Sequence, residues 1–147
     1  MTQERSKRPI NRLQSMYPLR ALVDQTYIAS LEAQSKGKPV VWSMLDNGYG
    51  GPFFNAMDVE SVYPENYGTM CAANGVAASY LERADTEGFP THLCGYARNC
   101  VGYTARMIEL GKIPPEAPAG GMPKPILLVS SGYLCDARFK WFQSLGR

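Results

Sequence analysis

The sequence predicts an α/β protein: a parallel sheet flanked by helices, with an amino-terminal helical segment in front. Two observations carry this reading. Short apolar runs without alternation, Val40–Leu45 and Ile126–Val129, read as strands covered on both faces. Around them lie stretches whose apolar residues recur every three or four positions, the helical period. With 147 residues, 45% of them apolar and 19% charged, the chain has the composition of one globular unit and not of a disordered or fibrous protein.

The elements follow in order. Residues 1–12 form a basic arm with Arg5, Lys7, Arg8 and Arg12. From Leu13 to Gln34 an apolar stripe predicts a helix, with Pro18 as a break or a fresh start and Gly37 as its end. This segment, 1–38, precedes an α/β domain over 39–147. Pro39 opens the strand Val40–Leu45, and the loop DNGYGG (46–51) leads to a short helix through Phe53–Met57. Val59–Tyr63 reads as a second strand closed by Pro64. Residues 66–85 carry Met70, Ala73, Ala77, Tyr80, Leu81 and Ala84 on one face of a predicted helix that ends at Gly88. Phe89–Leu93 fits a very short extended piece. Gly95–Leu110 is a helix with the stripe Ala97, Cys100, Val101, Thr104, Met107 and Ile108, stopped by Gly111. The proline-rich stretch 113–125 is a loop. Ile126–Val129 is the clearest strand, and the final helix, from about Cys135 to Leu145, packs Phe139, Trp141 and Phe142 in the core.

Charge and hydropathy exclude several function classes. The net charge is +2, and beyond the arm no basic stripe proposes nucleic acid. No apolar run is long enough to span a bilayer, and the start, MTQERSKRPINR, lacks the apolar region of a secretory signal. A cytoplasmic location is the expectation, and with it reduced thiols. The single histidine, His92, removes most histidine-based chemistry and reads as a loop residue.

The four cysteines, at 71, 94, 100 and 135, contain no CxxC pair. Ligands of an open parallel sheet gather at the carboxyl ends of its strands, where helices begin. Cys94 and Cys135 both fall at expected helix N-termini on that edge, where the helix dipole favours the thiolate form that binds metal. By position alone each reads equally well as a ligand or as a small structural side chain. Cys100 falls on an apolar stripe and reads as a buried thiol, as does Cys71 beside Met70. Glu65, after the second strand, is a helix-capping residue or a polar group of a pocket, and Asn47, after the first, has the same ambiguity. The glycines of 48–51 match no phosphate-binding loop and read as a tight turn.

The segment YPENYGTMCAANGVAASYLERADTEGFPTHLCGYARNCVGY (63–103), followed by GGMPKPILLVSSGYLCDARFKWFQ (120–143), resembles the 2-hydroxyacyl-CoA dehydratase and benzoyl-CoA reductase family. The specific marks are Leu93-Cys94-Gly95-Tyr96-Ala97-Arg98, the Pro123-Lys124-Pro125 loop, and then an apolar strand, Cys135 and the helix with Lys140-Trp141-Phe142. The resemblance covers about residues 39–147. It implies the amino-terminal part of an iron–sulfur subunit whose 4Fe–4S cluster is held by three cysteines with one iron open. An ATP-hydrolysing activator protein supplies the electron, and the substrate is a CoA thioester, either a 2-hydroxyacyl-CoA that is dehydrated or a benzoyl-CoA ring that is reduced. The first two cluster ligands fall on Cys94 and Cys135, with Glu65 and Asn47 at pocket positions. The third ligand lies outside this chain, on the remaining half of the enzyme or a sister subunit. The alternative reading is an electron-transfer or structural partial paralogue without substrate turnover of its own.

Overall fold

The computed structural model describes residues 13–44, 50–133 and 135–146. Helix α1 (Met16–Ser35) leads into strand β1 (Val40–Ser43), helix α2 (Gly50–Ala56) and strand β2 (Glu60–Val62). Helices α3 (Pro64–Ala73), α4 (Ala77–Thr86) and α5 (Gly95–Leu110) follow, then a 3₁₀ turn (Pro118–Gly120), strand β3 (Leu127–Val129) and helix α6 (Asp136–Leu145). The three strands pair in the order β2-β1-β3, both pairings parallel, with Trp42 opposite Val62 on one side and Leu128 on the other. The α/β class with its amino-terminal helix is therefore the observed fold.

The central strand shows why the apolar run does not alternate: Val40, Val41, Trp42 and Ser43 are all buried. Val40, Trp42, Met44 and Val62 point into the main core with residues of α1, α3, α5 and α6. Val41 and Phe54 of α2 are buried outside that cluster, on the opposite face. The core is rich in tyrosine. Tyr103 meets Tyr67 and Tyr80 edge-on, with ring centroids 5.5 and 5.6 Å apart, a geometry that favours aromatic contact beyond area burial. Gly102 lets α5 touch the backbone of α4: a Cβ there would lie 1.8 Å from the Tyr80 carbonyl oxygen.

Several expectations change. Pro18 does not interrupt α1, because it falls in the first turn, where its missing N–H has no helical partner to lose. The single helix expected over 66–85 is two helices. Gly75 takes φ +76°, and Val76 and Gly75 donate to the carbonyls of Cys71 and Ala72, which closes α3 before α4 begins. Phe89–Leu93 is a turn, not a strand. Pro90 offers no N–H, Leu93 donates to the Pro90 carbonyl, and the Phe89 carbonyl accepts from Arg98 Nε at 3.1 Å. Cys94 therefore follows a helix–turn and not a strand end.

The proline-rich loop is more deeply built in than its composition suggests. Met122 is fully buried, and Tyr103 Oη both donates to its carbonyl and accepts from its N–H, each at 2.8 Å. Trp42 Nε1 donates to the Pro123 carbonyl at 2.9 Å, and Tyr67 Oη to that of Pro118 at 3.0 Å. Core side chains thus satisfy the loop carbonyls that no strand pairs. The final helix departs from the expected packing: Trp141 and Phe142 are buried, while Phe139 is 49% exposed. Ile108 of the α5 stripe is 74% exposed. No helix of the described residues is long and apolar enough to cross a membrane.

Candidate functional site

At the carboxyl edge of the sheet lies a cleft of about 500 Å³. The ends of β1 and β2 supply Ser43, Met44 and Tyr63, and α1 supplies Tyr27. Three helix N-terminal turns close the cleft, through Glu65 of α3, Tyr96 of α5 and Arg138 of α6. This is where an open parallel sheet collects its ligands, because the strands end there and the positive ends of helix dipoles point there.

Helix α3 is the hub. Pro64 opens it with its fixed φ, and Glu65 stands in its first turn, where a carboxylate suits the dipole. Arg138 Nη2 donates to Glu65 Oε2 at 2.8 Å, so the first turn of α6 is tied to the first turn of α3. One turn further along α3, a Cβ on Gly68 would sit 2.9 Å from Tyr96 Cδ1; the glycine lets the Tyr96 ring lie against the helix. The start of α5 therefore packs against α3, and the start of α6 is tethered to it through the Arg138–Glu65 ion pair. Tyr27 Oη donates to Asn66 Oδ1 at 2.9 Å, and burial pushes this phenol well above its ordinary pKa, so it is a neutral donor in the cleft.

Cys94 is the N-cap of α5 and Cys135 the N-cap of α6. Both are free and exposed. Cys71 and Cys100 are also free but fully buried. Burial pushes the Cys71 thiol up to about 11, against a smaller opposing effect of the Asn99 side chain, and the Cys100 thiol up to about 12. Both sit inside the packed core and present no sulfur to the surface or the cleft. The exposed thiols are those of Cys94 and Cys135. Among the described residues, no three His, Cys, Asp or Glu residues gather into a set that could hold a metal ion. The donor chemistry fits two ligands of a thiolate-bound cluster and leaves the others to be supplied from elsewhere. Of the predicted pocket residues, Glu65 lines the cleft, and Asn47 lies outside the described residues. His92 is an exposed turn residue.

Comparison with known proteins identifies the family. Over 121 residues, 78% of this chain, the sequence is 30% identical to lactoyl-CoA dehydratase subunit alpha of Anaerotignum propionicum. The chain belongs to the 2-hydroxyacyl-CoA dehydratase family. It is also 28% identical over 126 residues, 86% of the chain, to the (R)-2-hydroxyisocaproyl-CoA dehydratase alpha subunit of Clostridioides difficile. The (R)-phenyllactyl-CoA dehydratase alpha subunit of Clostridium sporogenes is 25% identical over 129 residues, 88% of the chain. This dehydratase-family chain covers only 28–29% of the length of these three relatives. No family model matches it.

Arg138 is the site residue that sequence reasoning passed over. Its partner is 73 positions away, so no local pattern reveals the pair. One signal was present. An arginine in the first turn of a helix opposes the dipole and calls for a carboxylate from another element.

Proposed function

We propose that this chain is the cluster-bearing amino-terminal part of a 2-hydroxyacyl-CoA dehydratase subunit. In this reading it works with a sister subunit or the remaining part of the enzyme and with an ATP-hydrolysing activator protein. Cys94 and Cys135 supply two of the three thiolates of a 4Fe–4S cluster, and the third comes from outside this chain. The observation that supports the reading is that the two exposed cysteines are the N-cap residues of α5 and α6. The first turns of these helices line one cleft through Tyr96 and Arg138, although neither cysteine itself lines it. The names of the relatives support dehydration of a 2-hydroxyacyl thioester over reduction of an aromatic ring.

When bound, such a cluster would supply a low-potential electron and a Lewis-acidic iron. The chain's own residues prepare the ground for that chemistry. Cys94 and Cys135 stand at the N-cap positions of α5 and α6 with their thiols exposed, and these are the residues that would hold the cluster. Glu65, anchored through Oε2 by Arg138, holds a half-exposed carboxylate at the cleft, placed to accept a hydrogen bond from a substrate hydroxyl. Tyr27, held by Asn66, walls the cleft with a neutral ring.

Anaerobic purification of the chain with its sister subunit, followed by iron analysis and EPR, tests this. Cys94→Ser and Cys135→Ser are expected to abolish bound iron, and Cys100→Ser to leave it in place. Retention of iron by both of the first two variants would overturn the assignment.

A further inference from the structure

A second concavity, of about 1050 Å³, runs along the open edge of β3 between α5 and α6. Its lining contains the residues at which apolar pattern and burial disagree. Ile108 belongs to the apolar stripe of α5, Phe139 to that of α6, and Ile126 and Leu127 to the clearest strand signal of the sequence. They are 74%, 49%, 72% and 55% exposed, and all four face this one groove. Its floor reaches the core at Trp42 and Phe142, and Lys112 and Lys124 stand at its rim. The two edges of the sheet differ in the same way. On β2, Ser61 and Val62 are buried, whereas no residue of β3 is. Among the described residues β3 has no strand on its outer side.

Topology says what fits there. The chain passes from β2 to β3 through helices on the face of Val40, Trp42 and Val62, moving across the sheet from the β2 edge to the β3 edge. Helix α6, which follows β3, lies on that same face, with Trp141 and Phe142 in the same core. A right-handed crossover through a helix on that face continues in the same direction, which places the next parallel strand just outside β3. The relatives are long enough to provide one, since this chain matches only 28–29% of their length.

We infer that the β3 edge and its groove dock a strand parallel to β3, contributed by the polypeptide that makes up the rest of the relatives' length. The strand is apolar, because it covers Ile126 and Leu127, and it carries an acidic group toward the lysines of the rim. Main-chain hydrogen bonds to β3 provide the affinity, and the groove between Ile108 and Phe139 takes the side chains that set the register. The inference rests on the family membership that also underlies the proposed function, but on none of its cysteines.

The test adds a separate polypeptide to this chain: the part of the Anaerotignum propionicum subunit outside its matched segment. Light scattering and amide hydrogen exchange then report on the mixture. The expected result is a one-to-one complex in which the amides of 126–129 slow by at least about tenfold. Ile126→Asp with Leu127→Asp is expected to abolish the complex while leaving the chain folded by circular dichroism. Ile108→Asp serves as a second variant should that pair fail to fold. Absence of a complex at about 100 µM overturns the inference. So does a complex that leaves 126–129 in fast exchange, or protection of β3 that grows with the concentration of this chain alone, the mark of a second copy on the edge. None of these variants touches Cys94, Cys135 or Glu65, so iron binding by the assembled enzyme reports on the proposed function separately.

Discussion

Arg138 of α6 and Glu65 of α3 form an ion pair at 2.8 Å that joins two helix N-terminal turns across the cleft at the carboxyl edge of the sheet. The arginine side chain is 15% exposed and the glutamate 47%, so the pair is intermediate between a surface bridge and a buried one. An N-terminal turn suits Glu65 and opposes Arg138, and the pair resolves the second effect with the first.

Arg138→Met is expected to lower the unfolding free energy by about 1 kcal/mol, the upper range for a partly exposed pair. Glu65→Gln should cost less, because the amide oxygen still accepts from the guanidinium. Urea unfolding at low and high salt checks both, and the cost of the Arg138 variant should shrink in salt. Equal costs for the two variants at both salt concentrations would show that the charge contributes nothing.

Arg98 should matter more. Its side chain is 8% exposed, and it donates to the Leu81 and Phe89 carbonyls and to Asp85 Oδ1, which fixes the turn that leads to Cys94. Arg98→Lys keeps the charge but loses the fork, leaving acceptors unmatched at a cost of about 2 kcal/mol. Chemical denaturation measures this, and faster amide exchange over 89–94 should accompany it. A lysine variant as stable as the wild type would remove the forked geometry from the argument.

Gly102→Ala and Gly95→Ala form a contrasting pair on one helix. At 102 the new methyl group meets the Tyr80 backbone, so α4 and α5 must separate, at a cost of about 3 kcal/mol. At 95 nothing lies within 4 Å, and the change should be neutral or stabilising by up to about 1 kcal/mol through helix propensity. Thermal unfolding of the two variants decides whether the close α4–α5 approach is as tight as described.

The thiols give a pH prediction. In the native chain a thiol reagent at pH 8 should modify two cysteines, 94 and 135, and all four in denaturant. Burial raises Cys71 to about 11 and Cys100 to about 12 from an ordinary value of 9.0, and the buried tyrosines shift in the same direction. The unfolded chain therefore loses protons first as pH rises. Stability contributed by these groups is intact below about pH 9 and is lost progressively between about 9 and 12. A denaturation midpoint unchanged over pH 9–11 would contradict the burial of these groups.

Much of this molecule was legible in the sequence because its signals are local. The apolar run at Val40 is a buried strand since a central parallel strand is covered on both sides, and no tertiary knowledge is needed to see it. The limits of α5 were legible from its stripe and from Gly111, which takes φ +64° at its end. Glu65 was recognisable as a group at a strand end, though its partner was not. The turn at Phe89–Leu93 was misread because a short apolar segment looks extended until Arg98 claims its carbonyl.

By itself the sequence determined the periods, most of the breaks and the chemistry available: parallel strands, the limits of helices such as α5, and cysteines at two helix starts. Only the tertiary structure decided which of these residues meet. It tied Arg138 to Glu65, laid Tyr96 on Gly68, and anchored the proline-rich loop on Tyr103 and Trp42. It also left Ile108, Ile126, Leu127 and Phe139 facing an open groove. The physical reason is that hydrophobic period and helix capping act within a few residues of the chain. Ion pairs, side-chain anchors and the burial of an edge depend on elements brought together from tens of residues apart.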